Sequence, residues 1–122
     1  MGGKRLFAIR GATRCLNDSL DISKQVVELY DELLSRNGLG EEDVVSAIFS
    51  VTPDIDAKNP ATALREEGRA ADTPLFVVQE AHFPGSLDKV IRIIIHCYQE
   101  APPVHIYRNG AEVLRLDYFS SK

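Results

Sequence analysis

Cysteine, long apolar runs and positive charge are all scarce in this sequence, and each shortage removes a class of function. Two cysteines, Cys15 and Cys97, in 122 residues do not make a disulfide scaffold. Neither a C-x-x-C pair nor a Cys/His spacing suggests zinc. Two reduced thiols in a cytoplasmic protein are expected instead. The most apolar stretch, residues 90–97, is too short to span a bilayer, and residues 1–9 hold no apolar run of signal-peptide length. Fourteen Lys and Arg against 18 Asp and Glu leave a net charge of −4, without the basic face that general nucleic-acid binding needs. Ser19, Ser46, Ser50 and Ser86 lack a G-x-S-x-G setting, and no phosphate loop occurs. His82, His96 and His105 have no ligand spacing and read as structural. No metal or cofactor is expected.

What remains is an ordinary globular composition, 44% apolar and 26% charged. Its length fits one domain over residues 1–122 with a core of its own. Residues 6–10 read as a strand ended by Gly11. Asn17, Asp18 and Ser19 are N-cap candidates, followed by Ile22, Val26, Leu29, Leu33 and Leu34 at helical spacing and by Asn37-Gly38 as the stop. Val44–Val51 reads as a strand. Asn59-Pro60 opens a short helix, cap then proline, which ends at Gly68. Residues 75–80 form a strand, 82–86 a turn, and 87–98 hold the longest strand. Asn109-Gly110 predicts a two-residue hairpin turn between residues 105–108 and 111–116. The order β-α-β-α-β-β-β-β implies an α+β fold, a mixed sheet with two helices on one face.

Arg92 interrupts the run Val90-Ile91-Arg92-Ile93-Ile94-Ile95. A β-branched run of this kind reads as a strand buried on both faces, and a buried guanidinium needs an anion because it cannot lose its proton. Glu80 or a bound ligand could supply that anion. Alternation sends Ile91, Ile93, Ile95 and Cys97 to the helices and Arg92, Ile94, His96 and Tyr98 to the other face. That second face is too apolar for water and too polar for a core, so a homo-oligomer with packed sheets is expected. Arg10 and Glu80 end strands with glycines close by, as pocket residues often do, and Arg65 lies on the short helix. Arg10 reads equally as a surface residue or a ligand contact, and Tyr107 as an ordinary strand aromatic. Arginines, a carboxylate and a phenol without a nucleophile suit the binding of a small polyanion.

Taken in order, Ile9-Arg10-Gly11-Ala12-Thr13, Thr52-Pro53-Asp54, Pro60-Ala61, Arg65-Glu66, Gln79-Glu80, Ile91-Arg92, His105-Ile106-Tyr107 and Val113-Leu114-Arg115 resemble the small trimeric chorismate mutases of the Bacillus type. The likeness runs from about residue 5 to residue 117. It implies a trimeric pseudo-α/β barrel that converts chorismate to prephenate in aromatic amino-acid biosynthesis, with active sites between subunits and no cofactor. By resemblance, Arg10 holds the enolpyruvyl carboxylate with help from Tyr107. Arg92 reaches the ether oxygen and a carboxylate, Glu80 accepts from the ring hydroxyl, Arg65 attracts the dianion, and Leu114 is an apolar wall. Ala61 falls in the matching helix segment. Three positions depart from the family: Val77 stands where a cysteine is frequent, Asn59 where an aromatic is, and Thr62 where a lysine is. These departures predict altered affinity. They also keep open a trimer that binds a small carboxylate without catalysis. An imine deaminase on a similar trimeric scaffold is a further alternative, but those enzymes lack the I-R-G-A-T opening and the Glu80/Arg92 pair.

Overall fold

The computed structural model describes residues 3–115. Five strands form one mixed sheet: β1 (Arg5–Arg14), β2 (Val44–Val51), β3 (Leu75–Gln79), β4 (Val90–Gln99) and β5 (Ile106–Arg108), in the order β3-β2-β4-β1-β5. β4 runs antiparallel to both of its neighbours, β1 and β2, while the outer pairs β2–β3 and β1–β5 are parallel. Helices α1 (Ser19–Arg36) and α2 (Pro60–Glu66) connect β1 to β2 and β2 to β3.

The helix ends follow the sequence signals. The Asp18 carboxylate accepts from the Asp21 N–H at 3.0 Å, which satisfies one of the donors left over at a helix start. At the other end Gly38 takes φ +65°, the left-handed conformation that glycine adopts without steric cost. Asn59 accepts from the N–H groups of Ala61 and Thr62 and so caps α2. Ile22, Val26, Leu29, Tyr30 and Leu33 of α1 are buried against Ile9, Phe49, Ile91, Ile93 and Ile95, and this layer between helices and sheet is the core. The expected helix face is present, with Tyr30 added to it. Its hydroxyl donates to Glu41 at 2.6 Å, and burial followed by that carboxylate pushes its pKa upward.

Three expectations about the strands are corrected. Gly11 does not end β1, which continues to Arg14. A Cβ at position 11 would lie 2.8 Å from Leu33 Cδ1 and 3.2 Å from the Ile106 carbonyl oxygen, so the glycine admits α1 and β5 close to the strand. The Asn109-Gly110 hairpin does not form either. Both residues have positive φ, 54° and 93°, but the chain enters a 3-10 turn over Ala111–Arg115. Ala111 is buried with Ala12 and Val90, Gly110 N–H donates to Glu112 at 2.7 Å, and β5 pairs in parallel with β1. The predicted return strand extended to Leu116, which lies outside the described residues. Finally, among the described residues β4 is fully buried on its second face only at Val90. The two helices share one side, and the Arg92 side chain remains 44% exposed.

Candidate active site

Side chains opposite one another in a sheet share a face, so the register alone assembles the uncovered side. One row across all five strands reads Val78, Ser50, Arg92, Ala12, Tyr107. The adjacent row reads Phe76, Ile48, Ile94, Arg10. Arg10 and Arg92 therefore stand on a diagonal of neighbouring strands, a spacing of roughly 7–8 Å that long side chains bridge. Between them is Ala12, which adds only a methyl group. Arg10, Gly11, Ile48, Ser50, Arg92, Ile93, Ile94 and Tyr107 line a cavity of about 250 Å³. Two arginines on one small, largely apolar concavity make a site for an anion with two separated negative groups.

Glu80, Arg92 and the Arg10 backbone are held in place. Glu80 follows the last residue of β3, and its backbone N–H donates to Val51 O at 2.8 Å, extending the β2 pairing by one residue. Its Oε1 lies 3.0 Å from Arg92 Nε and accepts from Ser50 Oγ at 3.1 Å. The expected Arg92–Glu80 pair is thus present, and the arginine still faces the cavity. The backbone N–H of Arg10 donates to His105 Nδ1 at 3.0 Å. An imidazole accepting at Nδ1 is neutral and carries its proton on Nε2. Burial, and then the nearby Arg10 charge, lower the His105 pKa from 6.5, in keeping with that state. Tyr107 and Leu114 both pack on the small cluster of Ala12, Val90 and Ala111.

A family model described as chorismate mutase type I matches residues 6–118. The chain belongs to the chorismate mutase type I family. The chorismate mutase AroH of Bacillus subtilis (strain 168) is 33% identical over 118 residues, covering 93% of each chain. The AroH of Thermus thermophilus is 34% identical over 119 residues, covering 93% of this chain and 97% of its own. Among solved structures, a chorismate mutase from Clostridium thermocellum superposes with a TM-score of 0.82 at 40% identity, covering 88% of this chain and 98% of that one.

Of the positions expected to carry the chorismate mutase site, the fold brings Arg10, Arg92, Glu80 and Tyr107 together, and Leu114 packs on the same small cluster as Tyr107. The other five lie elsewhere in the single chain. Val77 pairs with Phe49 and packs against the core on the helix side of the sheet. Asn59 spends its side-chain oxygen on the α2 cap, Ala61 packs on the core, and Thr62 is exposed. Arg65 donates to the carbonyls of Ala70 and Ala71, each at 3.0 Å, and of Thr73 at 2.8 Å. It clamps the turn between α2 and β3. Ser50, Ile48 and His105 were not expected in the site. Their signal, alternation along β2 and adjacency to Tyr107, is visible in the sequence, but the cross-strand register that gives it meaning is not. Cys15 and Cys97 are free and buried. Burial, with Asp21 and Asp54 nearby, raises the Cys15 thiol to about 11, so it stays protonated near neutrality.

Proposed function

We infer that this chain is a chorismate mutase, an isomerase that converts chorismate to prephenate by an intramolecular Claisen rearrangement in aromatic amino-acid biosynthesis. The observation that carries the site assignment is Arg92. It is pinned at Nε by Glu80 and faces a cavity that Arg10 also lines. The substrate is a dianion. As its C–O bond breaks ahead of C–C bond formation, negative charge gathers on the ether oxygen. A fixed guanidinium there binds the transition state more strongly than the ground state, which is what acceleration requires. Arg10, with Tyr107, holds the enolpyruvyl carboxylate. Glu80 accepts from the ring hydroxyl, and Leu114, packed on the same small cluster as Tyr107, is the apolar wall. Closing a flexible ether into its compact reactive shape contributes through orientation. No proton is transferred and no covalent intermediate forms.

We further propose that three copies assemble and that each site lies between two of them. The open sheet face exposes Leu6, Ile48, Phe76, Val78 and Tyr98, an apolar patch that soluble proteins normally cover. The strands β3 and β5 are the sheet edges. The α2 cap Asn59 and the α2 residues Ala61, Thr62 and Arg65, positions that the resemblance assigns to the site, do not line this chain's own cavity, and a neighbouring copy could use them. Among the described residues no helix is long and apolar enough to cross a membrane, and the cytoplasm is the compartment we propose. The test is to add chorismate to the purified protein and follow its ultraviolet absorbance, with sedimentation reporting the assembly. Steady loss of absorbance by a trimer is expected. No loss would leave a carboxylate binder without catalysis, and a monomer that turns over chorismate would refute the shared site.

A further inference from the structure

β2 holds Glu80 at two points. Val51 O accepts from the Glu80 backbone at 2.8 Å, and one residue earlier the Ser50 hydroxyl donates to Oε1 at 3.1 Å. Arg92 Nε meets that same oxygen from β4 at 3.0 Å. Ser50 and Arg92 are direct cross-strand partners, so their two donors converge on Oε1 from one row of the sheet. The Arg92 side chain is 44% exposed and that of Glu80 21%. An ion pair this open to water is a soft restraint by itself. The Ser50 hydroxyl adds a second donor to the same charged oxygen, carried on a short side chain of a paired strand.

We propose that Ser50 is a positioning residue for the rearrangement. It fixes the Glu80 carboxylate so that Oε1 is satisfied within the protein and Oε2 is presented to the substrate hydroxyl. By holding Glu80, it also keeps Arg92 anchored at Nε, with its two terminal nitrogens turned to the cavity. Ser50 is neither nucleophile nor proton carrier here, and its effect passes through Glu80. The proposal rests on the role given to Glu80 above.

A double-mutant cycle separates this from the other ways a cavity serine can matter. Wild type, Ser50→Ala, Glu80→Ala and the double variant are compared for kcat and KM on chorismate, with thermal unfolding recorded for each. Ser50→Ala is expected to lower kcat/KM roughly tenfold, the scale of one hydrogen bond to a charged group. In the Glu80→Ala background the same change should cost nothing further. Ser50→Thr, which keeps the hydroxyl, should recover most of the loss. An equal drop in both backgrounds would mean that Ser50 touches the substrate or only supports the fold, and it would overturn the proposal. So would a Ser50→Ala enzyme indistinguishable from wild type. If wild type itself left chorismate untouched, the functional reading beneath would fail, and that result is distinct from either of these.

Discussion

The two sides of the sheet are built from alternate residues of the same strands, yet they do unrelated work. On the helix side, Ile9, Phe49, Ile91, Ile93 and Ile95 are almost wholly buried against α1. On the open side, their immediate neighbours Arg10, Ser50, Arg92 and Ile94 line the cavity. A one-residue step along β4 therefore separates the core from the chemistry. Folding free energy comes mainly from one set of side chains and, on the proposed mechanism, transition-state stabilisation from the other, so substitutions one position apart should give opposite phenotypes.

The largest effect is expected at Arg92. On the proposed mechanism Arg92→Ala removes the cation assigned to the ether oxygen and should cost about 3–4 kcal/mol in the barrier, roughly a hundred- to a thousandfold in kcat, while the melting temperature and assembly change little. Arg92→Lys should recover only part of this, because an ammonium cannot fork between two oxygens. Steady-state kinetics with calorimetry checks both. A variant that keeps near-native turnover would remove the open face from the mechanism. The mirror experiment is Ile95→Ala on the helix side. Deleting that fully buried side chain should lower unfolding stability by about 2–5 kcal/mol. Any protein that still folds should have an almost unchanged kcat. Denaturant titration gives the first number and the chorismate assay the second. Coupled losses would show that the two faces are not separable.

The same division explains what the sequence could and could not disclose. Local chemistry was legible. Asp18 and Asn59 cap the helices, Gly38 stops the first of them, Val44–Val51 is a strand, and the alternation of β4 sorts Ile91 from Arg92. These depend on nearest neighbours and on periods of 3.6 and 2. Arg10, Glu80 and Arg92 were legible as pocket candidates from strand ends and from a cation inside an apolar run, but their assembly with Ser50 was not, because Ser50 and Arg92 are 42 positions apart and meet through register. Gly11 looked like a strand end because glycine is a breaker locally. Its reason for being there, contact with Leu33 and Ile106, is tertiary. Asn109-Gly110 adopted the backbone of a hairpin turn, but burial of Ala111 beside Ala12 and Val90 decided where the chain went next.

A smaller effect tests whether α2 belongs to one region or both. Asn59→Ala should destabilise by about 1 kcal/mol through loss of the helix cap, measured by chemical denaturation. Asn59→Asp keeps an acceptor and should restore stability. If Asn59 also reaches substrate from a neighbouring copy, KM will rise in Asn59→Ala and will rise further in Asn59→Asp, which sets a negative charge against a dianion. A KM unmoved by either confines Asn59 to the fold.

The smallest expected effect lies at His105, where the two regions meet at the edge of β1. Its pKa in the folded protein lies below the ordinary 6.5 because it is partly buried and close to Arg10. As pH falls the unfolded chain takes up this proton first, so acid favours unfolding. The contribution is fully present above about pH 6.5 and is lost as pH falls through the lowered folded-state value. The structural cause is specific: a protonated Nδ1 can no longer accept from the Arg10 N–H, now 3.0 Å away, and a second cation would sit beside Arg10. His105→Asn keeps an acceptor near the Nδ1 position without a titrating group. Unfolding free energy measured from pH 8 down to pH 5 should therefore fall less steeply in His105→Asn than in wild type, with kcat/KM at neutral pH nearly preserved. His105→Leu, which offers no acceptor, should flatten the pH dependence in the same way but raise KM, because Arg10 loses its backbone anchor. Equal KM values for the Asn and Leu variants would show that the imidazole tunes stability alone and leaves the grip on substrate to the arginine side chain.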